Sequence, residues 1–331
     1  MSLILNEAPA ETLDPTLPAS AVMEHVLFEI KHLIVGQDHL LERLLIALLA
    51  RGHVLLEGVP GLAKTATIKA LAQVVGGTFG RVQFTPDLVP ADLTGTRIYN
   101  GRTGEFFTEP GPVFANLLLA DEINRAPAKV QSALLEVMQE RQVTIGKQTL
   151  AVPNPFLVLA TQNPIEADGT YPLPEAQLDR FLFKLVLPYP TAEQEQSVLA
   201  RHEAGMDPHD LATLGVSAVA GRDDLASARK EVAAVPVEPP VQAYIVSIVR
   251  ATRESPSLGL GVSPRGAAML LHAAKAWAWL AGKQFVTPDE VKAVAKPTLR
   301  HRIELRPEVE LEGVTADGVL DGVLASVPVP R

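Results

Sequence analysis

The chain has 331 residues, 47% hydrophobic and 20% charged, a globular rather than disordered composition long enough for two domains of roughly 100–200 residues each. Its 29 Lys and Arg against 38 Asp and Glu leave a formal charge of −9, which argues against a surface that coats nucleic acid but leaves room for a local basic channel. The absence of cysteine excludes disulfides and Cys-based metal or redox sites.

Met1 to Ser20 carries Glu7, Glu11 and Asp14 and no Lys or Arg, so residues 1–18 read as a mobile arm rather than a signal peptide. No stretch approaches the ~18–20 apolar residues of a membrane span, and the expected location is the cytoplasm. Val22, Val26, Leu27, Ile30 and Leu33 repeat at helical spacing until Gly36 interrupts them. Leu40, Leu41, Leu44, Leu45, Leu48 and Leu49 form a second amphipathic helix ending near Gly52. Five short apolar runs of strand character follow, at 53–57, 81–85, 115–120, 156–161 and 184–188. Helical stretches at 64–75 and 127–140 lie between them. Continuous apolar strands alternating with helices predict an α/β domain over 19–190, with a mostly parallel five-stranded sheet covered on both faces.

Two insertions interrupt this plan. Residues 94–109 read as a hairpin around Asn100-Gly101-Arg102-Thr103-Gly104, and residues 143–152 as a second around Gly146-Lys147-Gln148. Each is either loop elaboration or a projecting device that touches a partner. Pro188-Tyr189-Pro190 marks a boundary, after which Thr191 and Gln194 can cap a helix and residues 191–331 read as all-helical. Within that stretch, Met269, Leu270, Ala273, Trp277 and Leu280 belong to a long apolar helix. Thr287-Pro288-Asp289-Glu290 is a capping box with proline at the first helical position. His25, His32 and His39 stand seven residues apart, about 10 Å along a helix, too far for two rings to share a metal ion.

The chemistry centres on Gly58-Val59-Pro60-Gly61-Leu62-Ala63-Lys64-Thr65, which follows the apolar run Val54-Leu55-Leu56. Gly58 and Gly61 let backbone N–H groups turn toward a polyphosphate, Lys64 supplies a charge near the β and γ phosphates, and Thr65 offers a hydroxyl to Mg²⁺. The following helix adds the positive end of its dipole. Ala63 stands where the general pattern has a second glycine. Farther along, Leu117 to Ala120 is an apolar strand delivering Asp121 and Glu122 to the crevice at the end of the sheet. Asp121 can hold the Mg²⁺ that Thr65 contacts, directly or through water, and Glu122 can polarise a water for in-line attack on the γ phosphate. Asn163, at the end of the next strand in Ala160-Thr161-Gln162-Asn163-Pro164, can hydrogen-bond that water or the phosphate.

These stretches, with Leu119 to Pro127, Gln131 to Glu136 and Gly169 to Phe181, make the chain similar to MoxR-family AAA+ ATPases over about residues 20–310. Ala63 matches that family's own version of the loop, and the two hairpins resemble the insertions of this AAA+ branch. The resemblance implies an AAA+ P-loop domain followed by a smaller helical lid. It implies ATP and Mg²⁺ as ligands, the metal being held by Thr65 and Asp121. The implied nucleotide-binding set is Gly58, Val59, Pro60, Gly61, Leu62, Ala63, Lys64, Thr65 and Ala66, with Val35 and Gly36 near adenine and Arg265 as sensor 2. Lys64, Glu122, Asn163 (as sensor 1) and Arg180 (as an arginine finger that reaches the neighbouring subunit) make the implied catalytic set. Arg125 is a further candidate for that interface. The resemblance also implies a homo-oligomeric ring, a hexamer, that remodels or activates protein partners, among them proteins with von Willebrand factor A domains.

Two other activities share these motifs. A nucleic-acid motor would need basic hairpins, yet Glu105 and Glu109 offset Arg97, Arg102 and Lys147. A magnesium-chelatase-like subunit would need partners that the sequence does not reveal.

Overall fold

The computed structural model describes residues 17–34, 36–58, 64–163, 170–203 and 217–330. The arm at 1–16, Val35 and the stretch from Val59 to Ala63 therefore lie outside the described residues. Helix α1 (Ala19–Leu33) buries Val22, Val26 and Ile30 of its anticipated stripe together with Met23, while Leu27 and Leu33 are only partly buried, and α2 (Asp38–Leu49) buries all of Leu40, Leu41, Leu44, Leu45, Leu48 and Leu49. Strand β1 (Val54–Glu57) leads to α3 (Lys64–Val74), then β2 (Phe79–Gln83) and the short α4 (Pro90–Thr94).

The first insertion is an antiparallel ribbon of β3 (Gly95–Asn100) and β4 (Glu105–Pro110). Strand β5 (Leu117–Asp121) and α5 (Ala128–Glu140) precede a second ribbon, β6 (Gln142–Ile145) with β7 (Gln148–Ala151). Its turn is only Gly146-Lys147, with Gly146 at φ 62°, and Gln148 already belongs to the strand. Strand β8 (Leu157–Gln162), the single turn α6 (Glu175–Leu178) and β9 (Phe183–Val186) complete the α/β part.

The main sheet runs β2-β5-β8-β1-β9, and every pairing in it is parallel. Side-chain alternation along the strands explains its two cores. Val54, Leu56, Leu117, Leu119, Leu157 and Leu159 face α1, α2 and α3. Leu55, Leu118, Ala120, Val158 and Ala160 face α5 on the other side. Burial on both faces calls for continuous apolar strands, and the central β1, β5 and β8 are apolar up to their last residues, whereas the edge strand β2 carries exposed Arg81 and Gln83.

Thr191 and Gln194 bond reciprocally at the start of α7 (Ala192–Glu203). The remaining elements are α8 (Arg222–Ala234), α9 (Pro239–Glu254), β10 (Leu258–Leu260), α10 (Pro264–Leu280), α11 (Pro288–Leu299), β11 (Glu304–Leu305), α12 (Pro307–Leu311) and α13 (Ala316–Ser326). Among its described residues this part is helical apart from one antiparallel pair, β10 with β11, which is too short to leave a periodic signal in the sequence. Its helices continue the same core as α1 and α2. Arg43 on α2 stacks over Trp277 at 4.9 Å and donates to the Ala293 carbonyl at 3.0 Å, fastening the two parts side by side. Among the described residues, no single helix is long and apolar enough to cross a membrane.

Candidate active site

Parallel register places the ends of the strands in a row. Asp121 of β5 stands opposite Gln83 of β2, and Glu57 of β1 stands opposite Gln162 of β8. Asn163 follows directly, at the same edge. The carboxylate of Asp121 accepts from the Thr161 hydroxyl at 2.6 Å and from Arg81 Nη2 at 2.9 Å. Thr161, itself buried, also accepts the backbone N–H of Glu122 at 2.9 Å. One hydroxyl thereby fixes both acidic residues, because a hydroxyl can donate and accept at once.

Glu122 adopts a left-handed backbone, φ 56° and ψ 51°. For a non-glycine residue this conformation costs on the order of 1–3 kcal/mol and is characteristic of functional sites. It turns the chain sharply off the strand end. The Glu122 carboxylate accepts from Gln83 Nε2 at 2.8 Å and pairs with Arg125 Nε at 3.2 Å.

Lys64 and Thr65 are the first two residues of α3, both half-buried, and Ala66 behind them packs toward the core. The Lys64 ammonium donates to the carbonyl of buried Gly58 at 2.7 Å. Burial lowers the Lys64 pKa, and the charges of Asp121 and Glu122 oppose that shift, so the three groups share one electrostatic neighbourhood. A cation, a helix start and a hydroxyl suit a polyphosphate. Carboxylate and hydroxyl oxygens, as on Asp121 and Thr65, are of the ligand type that Mg²⁺ takes. An open cleft of about 690 Å³ adjoins this point, lined by Gly36, Gln37, Leu187, Tyr189, Lys292 and Arg300. Leu187 N–H bonds to the carbonyl of Glu57, the residue before Gly58. The cleft therefore opens near the end of β1, between the α/β part and α11, with a volume typical of small-molecule sites.

Arg180 lies elsewhere. It precedes β9 by three residues, and β9 begins opposite Val54, the first residue of β1, whereas Gly58 follows the last. The full length of β1, on the order of 10 Å at the rise of a strand, separates the Arg180 end of the sheet from the Lys64 end. Arg180 borders a shallow hollow with Glu136, Gln139 and Glu140 of α5, and among the described residues its side chain makes no hydrogen bond or ion pair. Arg265, one residue into α10 and exposed, stands at this same edge. Ser263, its helix cap, donates to Asp179 Oδ2 at 3.1 Å.

The profile of the family described as "ATPase family associated with various cellular activities (AAA)" matches residues 53–183, and that of an AAA lid domain matches residues 250–322. Chaperone MoxR1 of Mycobacterium tuberculosis is 47% identical over 98% of this chain and 87% of its own length. The chain belongs to the MoxR family of AAA+ ATPases. Protein MoxR of Methylorubrum extorquens is 34% identical over 91% of this chain and 93% of its own. A crystal structure from Cytophaga hutchinsonii, of an ATPase by assignment, superposes with a TM-score of 0.87 at 43% identity, covering 95% of this chain and 96% of that one. This MoxR-family chain is thus an ATPase with an AAA domain and an AAA lid.

The structure brings Lys64, Thr65, Asp121, Glu122 and Asn163 to one edge and puts Arg180 and Arg265 at the other. Val35, Val59, Pro60, Gly61, Leu62 and Ala63 lie outside the described residues. Thr161, Gln83 and Arg81 contact the acidic pair and were not singled out from the sequence. The parallel register was the signal that could have found them, because it aligns the last residues of neighbouring strands.

Proposed function

We propose that copies of this chain assemble head to tail into a ring, a hexamer, that hydrolyses Mg²⁺-bound ATP at each subunit boundary. The carrying observation is the separation of Arg180 from Lys64 by the length of the sheet. Arg180, without a side-chain partner among the described residues, serves a nucleotide held by another copy.

Within one subunit, Gly58 to Ala66 and the start of α3 hold the phosphates, and Gly36 lines the cleft that takes the base. Thr65 and Asp121 hold Mg²⁺, which supplies charge neutralisation at the phosphates when bound. Thr161 holds Asp121 in place and locks the backbone of Glu122. Glu122 then takes a proton from a water that Asn163 helps to orient. As that water's oxygen bonds to the γ phosphorus, the bond to the bridging oxygen of ADP breaks. Arg180 of the next copy stabilises charge on the transferring phosphoryl group, and Arg265, standing at the same edge, approaches the same nucleotide.

The work of the ring is remodelling or activation of protein partners, including proteins with von Willebrand factor A domains. The name of the Mycobacterium tuberculosis relative, a chaperone, supports this class. Turnover per subunit should rise with protein concentration in step with ring mass measured by sedimentation. Full turnover by monomers would exclude the shared site. A Glu122→Gln ring loaded with ATP should retain a von Willebrand factor A partner that the nucleotide-free ring releases; equal retention in both states would detach partner handling from ATP.

A further inference from the structure

Arg302, three residues past the end of α11, has a side chain only 1% exposed. Its Nε donates to Asp179 Oδ1 at 2.7 Å, and its Nη2 donates to the carbonyls of Asp179, at 3.1 Å, and Phe181. Its Nη1 donates to Leu182 O at 3.3 Å and to the Thr298 carbonyl. A planar guanidinium can satisfy so many fixed acceptors where an ammonium cannot. The acceptors in the α/β part are the residues on either side of Arg180.

Two further features of the lid converge on this point. Ser263 Oγ donates to Asp179 Oδ2 at 3.1 Å, so both oxygens of that carboxylate are held from the lid. Gly266, the third residue of α10, leaves the passage through which the Arg302 stem runs. A Cβ there would lie 2.9 Å from Arg302 Cδ and 2.4 Å from Val262 Cγ1. Helix α11, which leads to Arg302, also lines the nucleotide cleft with Lys292 and Lys296, and with Arg300 at its cap.

We propose that Arg302 is a positioning residue for Arg180, seated between Asp179 and Phe181 so that a subunit's own lid sets where the finger it lends to its neighbour stands. This rests on the reading of Arg180 as a trans-acting finger. Under it, α11 joins the cleft of one subunit to the catalytic arginine of the next site. A group that only glued the lid to the α/β part would support nucleotide holding and finger lending alike, whereas a positioning residue supports the second alone.

Mixed rings separate these roles. The reference is Lys64→Ala mixed with Arg180→Ala, in which the active boundaries combine the nucleotide of the Arg180→Ala copy with the finger of the Lys64→Ala copy. Arg302→Lys, which keeps the charge and loses the fork, is then added to one copy or the other, with melting temperature confirming folding. Added to the Lys64→Ala copy, it should lower kcat by about tenfold or more, since misplacement of a reacting group by an ångström costs up to ~10²-fold. Added to the Arg180→Ala copy, it should leave the rate within about twofold, because its finger is not used. Equal losses in the two arrangements, or a loss only in the second, would overturn the proposal. No activity in the reference mixture would instead remove the trans reading and this inference with it. If Arg302→Lys does not fold, Gly266→Ala displaces the same stem without changing any charge and should show the same asymmetry, and its absence there would equally overturn the proposal.

Discussion

The two edges of the central sheet are organised in opposite ways. At the edge where the strands end, functional side chains are held by one another: Thr161 by Asp121, Glu122 by Gln83 and Arg125, and Lys64 by Gly58. At the edge where they begin, the Arg180 side chain has no partner among the described residues, while Asp179 beside it is held by two groups from the lid. The first edge is internally satisfied and arranged for chemistry on a nucleotide. At the second, the lid holds Asp179 beside half-buried Arg180, with Arg265 exposed nearby. In the proposed assembly, the two edges of neighbouring copies would together complete one site.

Substitutions at each edge sharpen this contrast. Arg180→Ala should lower turnover by ~10³–10⁵ while leaving nucleotide affinity unchanged; weakened binding measured by titration calorimetry would place Arg180 at its own nucleotide instead. Glu122→Gln should retain binding and lower turnover by ~10²–10⁴, and an unchanged steady-state rate would remove Glu122 as the base. Thr161→Val leaves the Glu122 N–H and one Asp121 oxygen without their buried partner, which should cost about 1–3 kcal/mol of stability by denaturant unfolding, together with turnover. A loss of turnover without loss of stability would show that the hydroxyl serves the chemistry alone.

A further prediction reads stability rather than turnover and concerns His53, which directly precedes β1 at the edge where the strands begin. Its Nδ1 accepts from Val158 N–H at 3.0 Å, and Nε2 faces the Met138 carbonyl at 3.2 Å. Burial, with Arg141 nearby, pushes its pKa down to about 3. The unfolded chain takes up this proton near pH 6.5 and the folded chain only near pH 3, so stability falls as pH drops through that window, by at most about 1.4 kcal/mol per unit. His53→Gln should flatten the slope of unfolding free energy between pH 6.5 and 4.5. An unaltered slope would show that other groups govern it.

Much of this was legible in the sequence because strand ends carry their own signals. The apolar runs located the five strands and Thr287 to Glu290 located a helix start, whereas most of the loop after Val54-Leu55-Leu56 lies outside the described residues. What pairs across the sheet was not legible, since Gln83 and Thr161 become partners of the acidic pair only once the register is set. Nor did the sequence reveal on which edge each arginine stands. Nothing in the local sequence marks Arg302 for burial, yet it is buried against Asp179, 123 residues away in the chain. The β10–β11 pair was missed for a related reason: two or three residues are too few to show alternation.

The central claim is that the two edges make one site across a subunit boundary. Mixing Lys64→Ala and Arg180→Ala copies, each inactive alone, tests it most directly. Random assembly into head-to-tail rings gives about a quarter of the boundaries an intact loop facing an intact finger, so ATP hydrolysis should return to about that fraction of the unmodified rate. Mixed rings of normal mass that remain inactive would contradict it.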